Sequence, residues 1–283
     1  MPEGDTVHRL ADRLASAVGR IVTGCQLRVP SLACADLTGS RLTGVRARGK
    51  HLLMDVAPVD GARIAELPRP GAWTLHTHLR MEGTWRVHPA GQRWHLPGHT
   101  ARVVLRLSGV PDGPQVELVG HELGLVELWP AGDYEQHLGW LGPDPLEEAE
   151  WDGGGRDETA RRAASDPRRP IGVTLLDQSV LAGIGNEYRA EICFLCGIHP
   201  SRPTGEVDVA HVIDRAAAVM RANRRGPYRV TTGDNRPGRR TFVFGRNHQP
   251  CRRCGSPIRS GTLGPQDHPD QERIIWWCPT CQH

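Results

Sequence analysis

The first apolar pattern along the chain has helical spacing. It predicts an amphipathic helix over residues 6–18, and either Asp5 or Thr6 is a suitable N-cap. The apolar positions that carry this prediction are Val7, Leu10, Ala11, Leu14 and Val18.

From Ile21 to about Trp129 the pattern changes to short apolar runs separated by Gly, Pro and Asp. Short strands with regular turn signals are typical of a β-sandwich or barrel. The runs lie at 21–22, 51–56, 73–75, 101–107, 116–119 and 125–129.

The passage over residues 142–155 is rich in Pro, Gly and acidic residues, which predicts a linker. Beyond it, residues 173–180, 186–196 and 209–223 have helical patterns. The 283 residues are enough for two packed domains and a small appendage.

Two CxxC pairs mark the end of the chain, Cys251/Cys254 and Cys278/Cys281, with 23 residues between them. Two thiolates from each tight turn complete a tetrahedral zinc shell, and disulfides are rare in the cytoplasm. We therefore expect one structural Zn²⁺ between knuckles joined by a hairpin that includes residues 256–258 and 273–277. A third pair, Cys193 and Cys196, lies in an apolar helical run. Burial is favoured over a redox role there.

Charge gives a weaker signal, because the net charge is +3 and the pI about 8.5. Eight arginines and one acid, Asp234, fall between Arg221 and Arg246. They indicate either a nucleic-acid contact or a solvated surface. Lys50 is the one lysine among 35 basic residues. A lysine amine can be tuned to release a proton and a guanidinium cannot, although compositional bias alone could leave one lysine.

No run approaches the roughly 20 apolar residues of a membrane span, and the acidic start, Met1 to Asp5, is unlike a secretory signal. We expect a cytoplasmic protein with no membrane contact.

Pro2 and Glu3 suggest covalent chemistry. Removal of Met1 would expose a secondary amine at Pro2, and an α-amino group has a pKa near 8. A neutral amine of this kind can attack C1′ of a deoxyribose and form an iminium as the base leaves. The adjacent Glu3 carboxyl can transfer protons during this step.

Five segments, in order, resemble the formamidopyrimidine-DNA glycosylase and endonuclease VIII family, and in particular its actinobacterial Nei-type members. The segments are MPEG at 1–4, RGKHLL at 48–53, HLRMEG at 78–83, LLDQ…LAGIGN over 175–186, and Arg273 leading into CPTCQ at 278–282.

This resemblance implies an α+β multidomain fold in three parts. An N-terminal helix and catalytic β-sandwich would occupy residues 1–132. A helical helix–two-turn–helix DNA-binding domain would occupy 133–246, and a C-terminal β-hairpin zinc finger 247–283.

The resemblance also implies residue roles. Pro2 would be the Schiff-base nucleophile, Glu3 the proton-transfer acid, and Lys50 a proton donor for β-elimination that also contacts a phosphate. Asn186 would hold a phosphate. Arg273 would bind the phosphates flanking the lesion and assist δ-elimination.

Met81, with Arg80 beside it, would fill the gap left by a flipped nucleotide. Non-catalytic interpretations remain open for each DNA contact: Met81 as core, Asn186 as a turn residue, and Arg273 as a solvated charge.

Three departures from the family pattern stand out. Thr6 replaces a glutamate found in many members, so a second acid is absent or its role passes to Asp5. Residues 121–125 lack the Arg and Phe that wedge the opposite strand in the formamidopyrimidine branch. The three residues that would fill the gap left by the flipped nucleotide, Arg80-Met81-Glu82, differ from those of enterobacterial endonuclease VIII.

The function predicted from these observations is a bifunctional DNA glycosylase and AP lyase of base excision repair. It would remove oxidised bases, pyrimidines foremost, and nick the strand by β,δ-elimination. Its partner would be damaged DNA, as a duplex, single strand or bubble, and we expect a nucleoid-associated monomer. The alternatives are an enzyme that is chiefly an AP lyase, a zinc-finger damaged-DNA binder without catalysis, and a zinc-ribbon adaptor.

Overall fold

The computed structural model describes residues 2–59, 71–109, 114–265 and 269–283. The chain forms two compact units. One contains Pro2 and residues 6–140, and the other contains residues 3–5 and 141–283.

The first unit is built on two four-stranded antiparallel sheets. One sheet has the order β1-β6-β7-β5 and the other β2-β3-β4-β8. The strands are β1 Val22–Leu27, β2 Ser40–Arg48, β3 His51–Pro58, β4 Trp73–His78, β5 Thr84–Pro89, β6 Ala101–Leu107, β7 Val116–His121 and β8 Leu125–Pro130.

The N-terminal helix α1, Gly4–Leu14, contributes Val7, Leu10 and Leu14 to the core formed with both sheets. Its apolar stripe has the predicted spacing, so the helix and sandwich expected from the pattern are confirmed. The helix nevertheless begins at Gly4, which places Asp5 and Thr6 inside its first turn and makes the predicted N-cap wrong. It also ends at Leu14 and continues as a 3₁₀ turn over Ala15–Ala17.

Two strands were not expected from the sequence, β2 and β5. Each lies at the edge of its sheet and alternates buried with exposed positions that include Arg41 and Arg86. An edge strand covered on one side needs few apolar residues, and charges there discourage pairing with other chains. The weak apolar signal follows from this position.

The first unit ends with a short helix, α2 Tyr134–Leu138. The first helix that lies wholly in the second unit is α3, Glu148–Glu150. Helix α4, Arg156–Ala163, follows α3 across a kink where Gly154 has φ 122°. Three further helices follow: α5 Ile171–Leu176, α6 Asn186–Leu195 and α7 Val209–Arg224.

The linker predicted over 142–155 is wrong. Residues 141–146 are buried, the Gly142 amide donates to the Gln178 carbonyl, and Leu146 and Trp151 belong to the helical core. Pro and Gly serve here as tight turns packed against helices, which composition alone does not separate from a solvated connection.

Near the end of the chain, β9 Arg259–Leu263 pairs antiparallel with β10 Arg273–Trp277. The predicted hairpin is confirmed, and its second strand has the predicted bounds. Its first strand begins at Arg259, just after the predicted residues 256–258. Among the described residues, no helix is long and apolar enough to cross a membrane.

Candidate functional site

Glu3 is fully buried at the N-terminus of α6. Its carboxylate accepts hydrogen bonds from the backbone amides of Gly185 at 2.7 Å, Glu187 at 2.9 Å and Tyr188 at 3.4 Å. The first amides of a helix have no intrahelical acceptor and carry partial positive charge. Glu3 therefore caps this helix from a distant part of the chain, and its side chain has one fixed orientation.

The glycine before Asn186 makes this approach possible. A Cβ on Gly185 would collide with Cδ and Oε1 of Glu3, so a larger residue would displace the carboxylate. The next residue of the N-terminal segment is also fixed, because the Gly4 amide donates to the Gly183 carbonyl at 2.9 Å.

A single guanidinium connects two buried carboxylates and one half-buried carboxylate around this point. Arg229 lies 2.6 Å from Asp5, 2.8 Å from Glu187 and 3.6 Å from Glu3, and it stacks over the Tyr188 ring at 4.6 Å. Its side chain is 8% exposed. We call Glu3, Asp5, Glu187 and Arg229 the N-terminal charge cluster.

The pKa shifts in this cluster follow from burial and charge. Burial alone would lower the pKa of Arg229, but the surrounding carboxylates raise it well above its usual value. Burial raises the pKa of Glu187 despite the opposing effect of Arg229. Three carboxylates around one cation leave an excess of negative charge, which disfavours ionisation of Glu187.

Asn186, the first residue of α6, contacts the C-terminal hairpin. Its Nδ2 donates to the Ile274 carbonyl at 2.9 Å, and its Oδ1 is buried with no hydrogen-bond partner among the described residues. Arg189 is fully buried one turn later, and donates to carbonyls of Leu263, Arg273 and Ile274 at 3.3–3.4 Å. Burial lowers the pKa of Arg189 to about 10.

The side chain of Arg273 is exposed at the start of β10. Its guanidinium donates to the backbone carbonyls of Glu272 at 2.8 Å and Asp270 at 3.3 Å. The second unit thus brings Glu3, Asn186 and the hairpin that carries Arg273 to the same end of α6.

In the first unit, Lys50 is half-buried in the turn between β2 and β3, where Gly49 has φ 56°. His51 pairs with His78, so Lys50 and Arg80 lie at the same end of the sheet. Their charges both lower the pKa of His51, after burial and the neighbouring histidines.

Arg80 adopts φ 53°, and its amide donates to Nδ1 of His78 at 2.9 Å. Met81 is 66% exposed, so the interpretation of Met81 as a core residue is wrong. An exposed methionine in a rigid turn is available to contact another molecule.

Next to Lys50 in the sequence, His51 begins a chain of three hydrogen-bonded side chains on the sheet β2-β3-β4-β8. His51 Nδ1 lies 2.8 Å from His76 Nε2, and His76 Nδ1 lies 3.0 Å from Glu127. Burial is the main cause of low pKa values for His51, about 3, and for His78, about 4. These rings are neutral near pH 7.

The two C-terminal CxxC pairs converge. The four Sγ atoms lie within 4.8 Å of one another, with Cys254 and Cys278 at 3.4 Å and Cys251 and Cys281 at 4.0 Å. Tetrahedral coordination with bonds of about 2.3 Å would separate sulfurs by about 3.8 Å. The cluster can therefore bind one metal ion with four thiolates.

Cys193 is buried and Cys196 is half-buried in the core of the second unit. Burial raises their pKa values to about 12 and about 11. Both are protonated near pH 7, which favours the structural interpretation over a redox one.

The arginines between Arg221 and Arg246 have mixed environments. Several hold the backbone together: Arg221 and Arg224 donate to the carbonyls of Pro145 and Leu146. Arg240 stacks on exposed Tyr228, with Cζ 3.7 Å from the ring centre. The segment is therefore partly scaffold and not uniformly a solvated surface.

A buried carboxylate organises the same segment. Glu191 accepts hydrogen bonds at 2.8 Å from the amides of Phe242, Val243 and Phe244, and also from the Thr231 hydroxyl. Sequence reasoning missed Glu191 together with Glu187, Arg189 and Arg229. Each lies near a recognised motif, but no spacing rule identifies a long-range partner.

Two protein-family models match the chain. The formamidopyrimidine-DNA glycosylase N-terminal domain matches residues 1–122. The formamidopyrimidine-DNA glycosylase H2TH domain matches residues 141–225. The resemblance inferred from motifs and the fold expected from it are confirmed.

Full-length relatives agree. The chain is 40% identical to endonuclease 8 2 of Mycobacterium tuberculosis, covering 100% of both chains. It is 38% identical to the DNA-(apurinic or apyrimidinic site) lyase Nei2 of Mycolicibacterium smegmatis, covering 100% of this chain and 99% of the relative. Lactococcus lactis Fpg (MutM), solved with DNA containing an oxidised pyrimidine, has the same fold with a TM-score of 0.73 at 21% identity, with full coverage of both chains.

Proposed function

Because the chain belongs to the formamidopyrimidine-DNA glycosylase and endonuclease VIII family, we propose that it is a bifunctional DNA glycosylase and AP lyase of base excision repair. It removes oxidised bases, pyrimidines foremost, and cuts the strand at the resulting abasic site. Its partner is damaged DNA, bound by a monomer.

The proposed reaction begins at Pro2, after removal of Met1. The neutral secondary amine attacks C1′, the bond from C1′ to the base breaks with its electron pair on the base, and the departing base takes up the proton that the amine nitrogen loses. Glu3 takes up a proton from water and passes it to the sugar ring oxygen as the ring opens. The product is an iminium that joins the protein to the opened sugar.

Strand cleavage follows from the iminium. Loss of a C2′ proton expels the 3′-phosphate in β-elimination, and loss of a C4′ proton then expels the 5′-phosphate in δ-elimination. Lys50 is the proposed proton donor for β-elimination and also contacts a phosphate. Arg273 is proposed to bind the phosphates flanking the lesion and to assist δ-elimination. The product is a gap with phosphate at both ends, and the sugar fragment is released when the iminium is hydrolysed.

Three of the proposed DNA contacts, Arg80, Met81 and Arg273, lie in exposed or turn positions, and the fourth, Asn186, lies at the N-terminus of α6. Asn186 and Arg273 bind phosphates near the lesion. Met81 occupies the gap left by the extruded nucleotide, with Arg80 beside it. The exposure of Met81 and Arg273 supports this assignment. A duplex, a single strand or a bubble would each present the required sugar.

We propose that one Zn²⁺ is bound by four thiolate ligands, those of Cys251, Cys254, Cys278 and Cys281. Four thiolates leave no open coordination position, so the ion would hold the hairpin that carries Arg273 and take no part in the reaction. The bounds 1–132, 133–246 and 247–283 remain our proposal for the catalytic, helix–two-turn–helix and zinc-finger domains.

One observation carries this proposal beyond family membership. The residue after Pro2 is buried and fixed by three backbone amides, so the segment bearing the nucleophile is held and does not fray as chain termini usually do. A fixed amine is what covalent attack at C1′ requires.

The test is borohydride trapping on a duplex containing one abasic site. We expect a covalent protein–DNA adduct from the processed chain and none from Pro2→Gly carrying an added N-terminal residue. Duplexes with single oxidised pyrimidines then test base removal. Absence of any adduct from a chain whose mature terminus is Pro2 by mass spectrometry would contradict the proposal, and DNA binding without an adduct would indicate a non-catalytic damage binder.

A further inference from the structure

We propose that Arg229 is a positioning residue for this reaction, holding the Glu3–Asp5 segment, and through it the preceding amine, in one orientation. This inference rests on the proposed function. It concerns a residue that touches neither the sugar nor the base in the mechanism above.

The contacts of Arg229 are divided between its two terminal nitrogens. Nη2 lies 2.6 Å from Asp5 Oδ1. Nη1 lies 2.8 Å from Glu187 Oε2 and 3.6 Å from Glu3 Oε1. One planar group therefore connects the N-terminal segment with the first turn of α6.

The N-terminal segment is held at three successive residues. Glu3 caps α6, Gly4 donates to the Gly183 carbonyl, and Asp5 pairs with Arg229. The Asp5 contact is the charged one furthest from the terminus. It holds the first turn of α1, which directly follows Glu3 in the chain.

The backbone beside Arg229 and the Arg229 guanidinium are each held by another contact. The amide of Val230 donates to Oδ1 of Asn223 at 2.6 Å, and Asn223 is buried in α7. The Tyr188 ring supports the guanidinium plane. A side chain with a fixed base and a fixed plane can determine the position of its partners.

A guanidinium is required by this geometry. Its donors point in fixed in-plane directions and can bind two carboxylates at once, whereas an ammonium is a point charge on a flexible stem. The Asp5 carboxylate is fully buried and directed at Arg229, so its role is to anchor the segment.

The experiment measures chemistry and DNA binding separately. The single-turnover rate of borohydride-trapped adduct formation is compared with the Kd for a duplex containing a tetrahydrofuran abasic analogue, which cannot form an iminium. We expect Arg229→Met to reduce the rate by about 100-fold, because small misplacement of a reacting group has effects of that size. We expect Arg229→Lys to reduce it by roughly tenfold, with Kd within about twofold of the unsubstituted protein for both variants.

The matched control is Arg156→Met, which removes a bidentate pair with Asp214 in the same unit at 2.7 and 2.8 Å. That pair is on the surface, so the rate should not change. Circular dichroism at the assay temperature verifies folding. If Arg229→Met does not fold, Arg229→Lys and Asp5→Asn decide the matter, because Lys keeps the positive charge at position 229 and Asn keeps the size of the Asp5 side chain.

Two failures are distinguishable. If the unsubstituted protein forms no adduct, the proposed function is wrong. If it forms the adduct and a folded Arg229→Lys protein matches its rate, or loses rate and DNA affinity by the same factor, the positioning role is wrong.

Discussion

The two units bury polar groups in opposite ways. The sandwich holds neutral histidines, buried His76 and half-buried His51 and His78, which hydrogen-bond through ring nitrogens, and the chain from His51 through His76 ends at the exposed carboxylate of Glu127. The second unit buries ions, with three carboxylates around Arg229 and amides of α6 as further donors.

This difference predicts how each unit responds to change. Neutral rings hydrogen-bond well until a proton is added, so the histidine chain should be sensitive to acid. Buried ions depend on every partner being present, because an unpaired buried charge is strongly unfavourable. The N-terminal charge cluster should therefore be sensitive to small displacements and to loss of a partner.

The largest effect is expected at the charge cluster. In Gly185→Ala the new Cβ would collide with the Glu3 side chain. We expect the rate of adduct formation to fall by about 100-fold as the carboxylate is displaced. Gly153→Ala is the control, since a Cβ there meets no atom within 4 Å in the part of the chain that the structure describes. An adduct rate equal to that of the unsubstituted protein would show that Glu3 need not occupy this position.

An intermediate effect is expected from acid on the sandwich. The folded pKa values of His51, about 3, and His78, about 4, lie below the unfolded value near 6.5. Such groups stabilise the fold at pH above 6.5, and this stability is lost as the pH falls toward the folded pKa. Between pH 7 and pH 5 we expect a loss of about 1 kcal/mol per histidine, after allowance for solvent screening.

Hydrogen exchange of β3 and β4 amides at the two pH values measures this loss. His51→Leu should reduce the pH dependence, because it removes one titrating ring. The same dependence in both proteins would mean that His51 is not one of the groups responsible.

The smallest effect is expected at the exposed end of the histidine chain. Burial lowers the pKa of His76, while the hydrogen bond and charge of Glu127 raise it. Glu127→Gln should therefore lower the pKa of His76 further, which NMR titration of the ring can detect. Little change in global stability is expected, because the Glu127 side chain is 42% exposed. An increase in the pKa would contradict this account of the histidine chain.

Most of the elements that the sequence predicts correctly are identified by a local pattern of residues. The stripe from Val7 to Leu14, the central strands and the paired cysteines each have a pattern imposed by one element, and these elements are present. Edge strands β2 and β5 were missed because half of each strand faces solvent. The segment over 142–155 was misread because packed turns and solvated linkers share a composition.

The sequence alone determined the order of helix, sandwich, helical domain and cysteine hairpin, and it identified Pro2, Glu3 and Lys50 as chemically suited to covalent work. Tertiary structure decided that Glu3 caps α6 and that Arg229 joins Asp5 to Glu187. Residues more than 180 positions apart meet there. Hydrophobic periodicity reports only which face of an element is buried, whereas a buried ion's partner depends on how the whole chain folds back on itself.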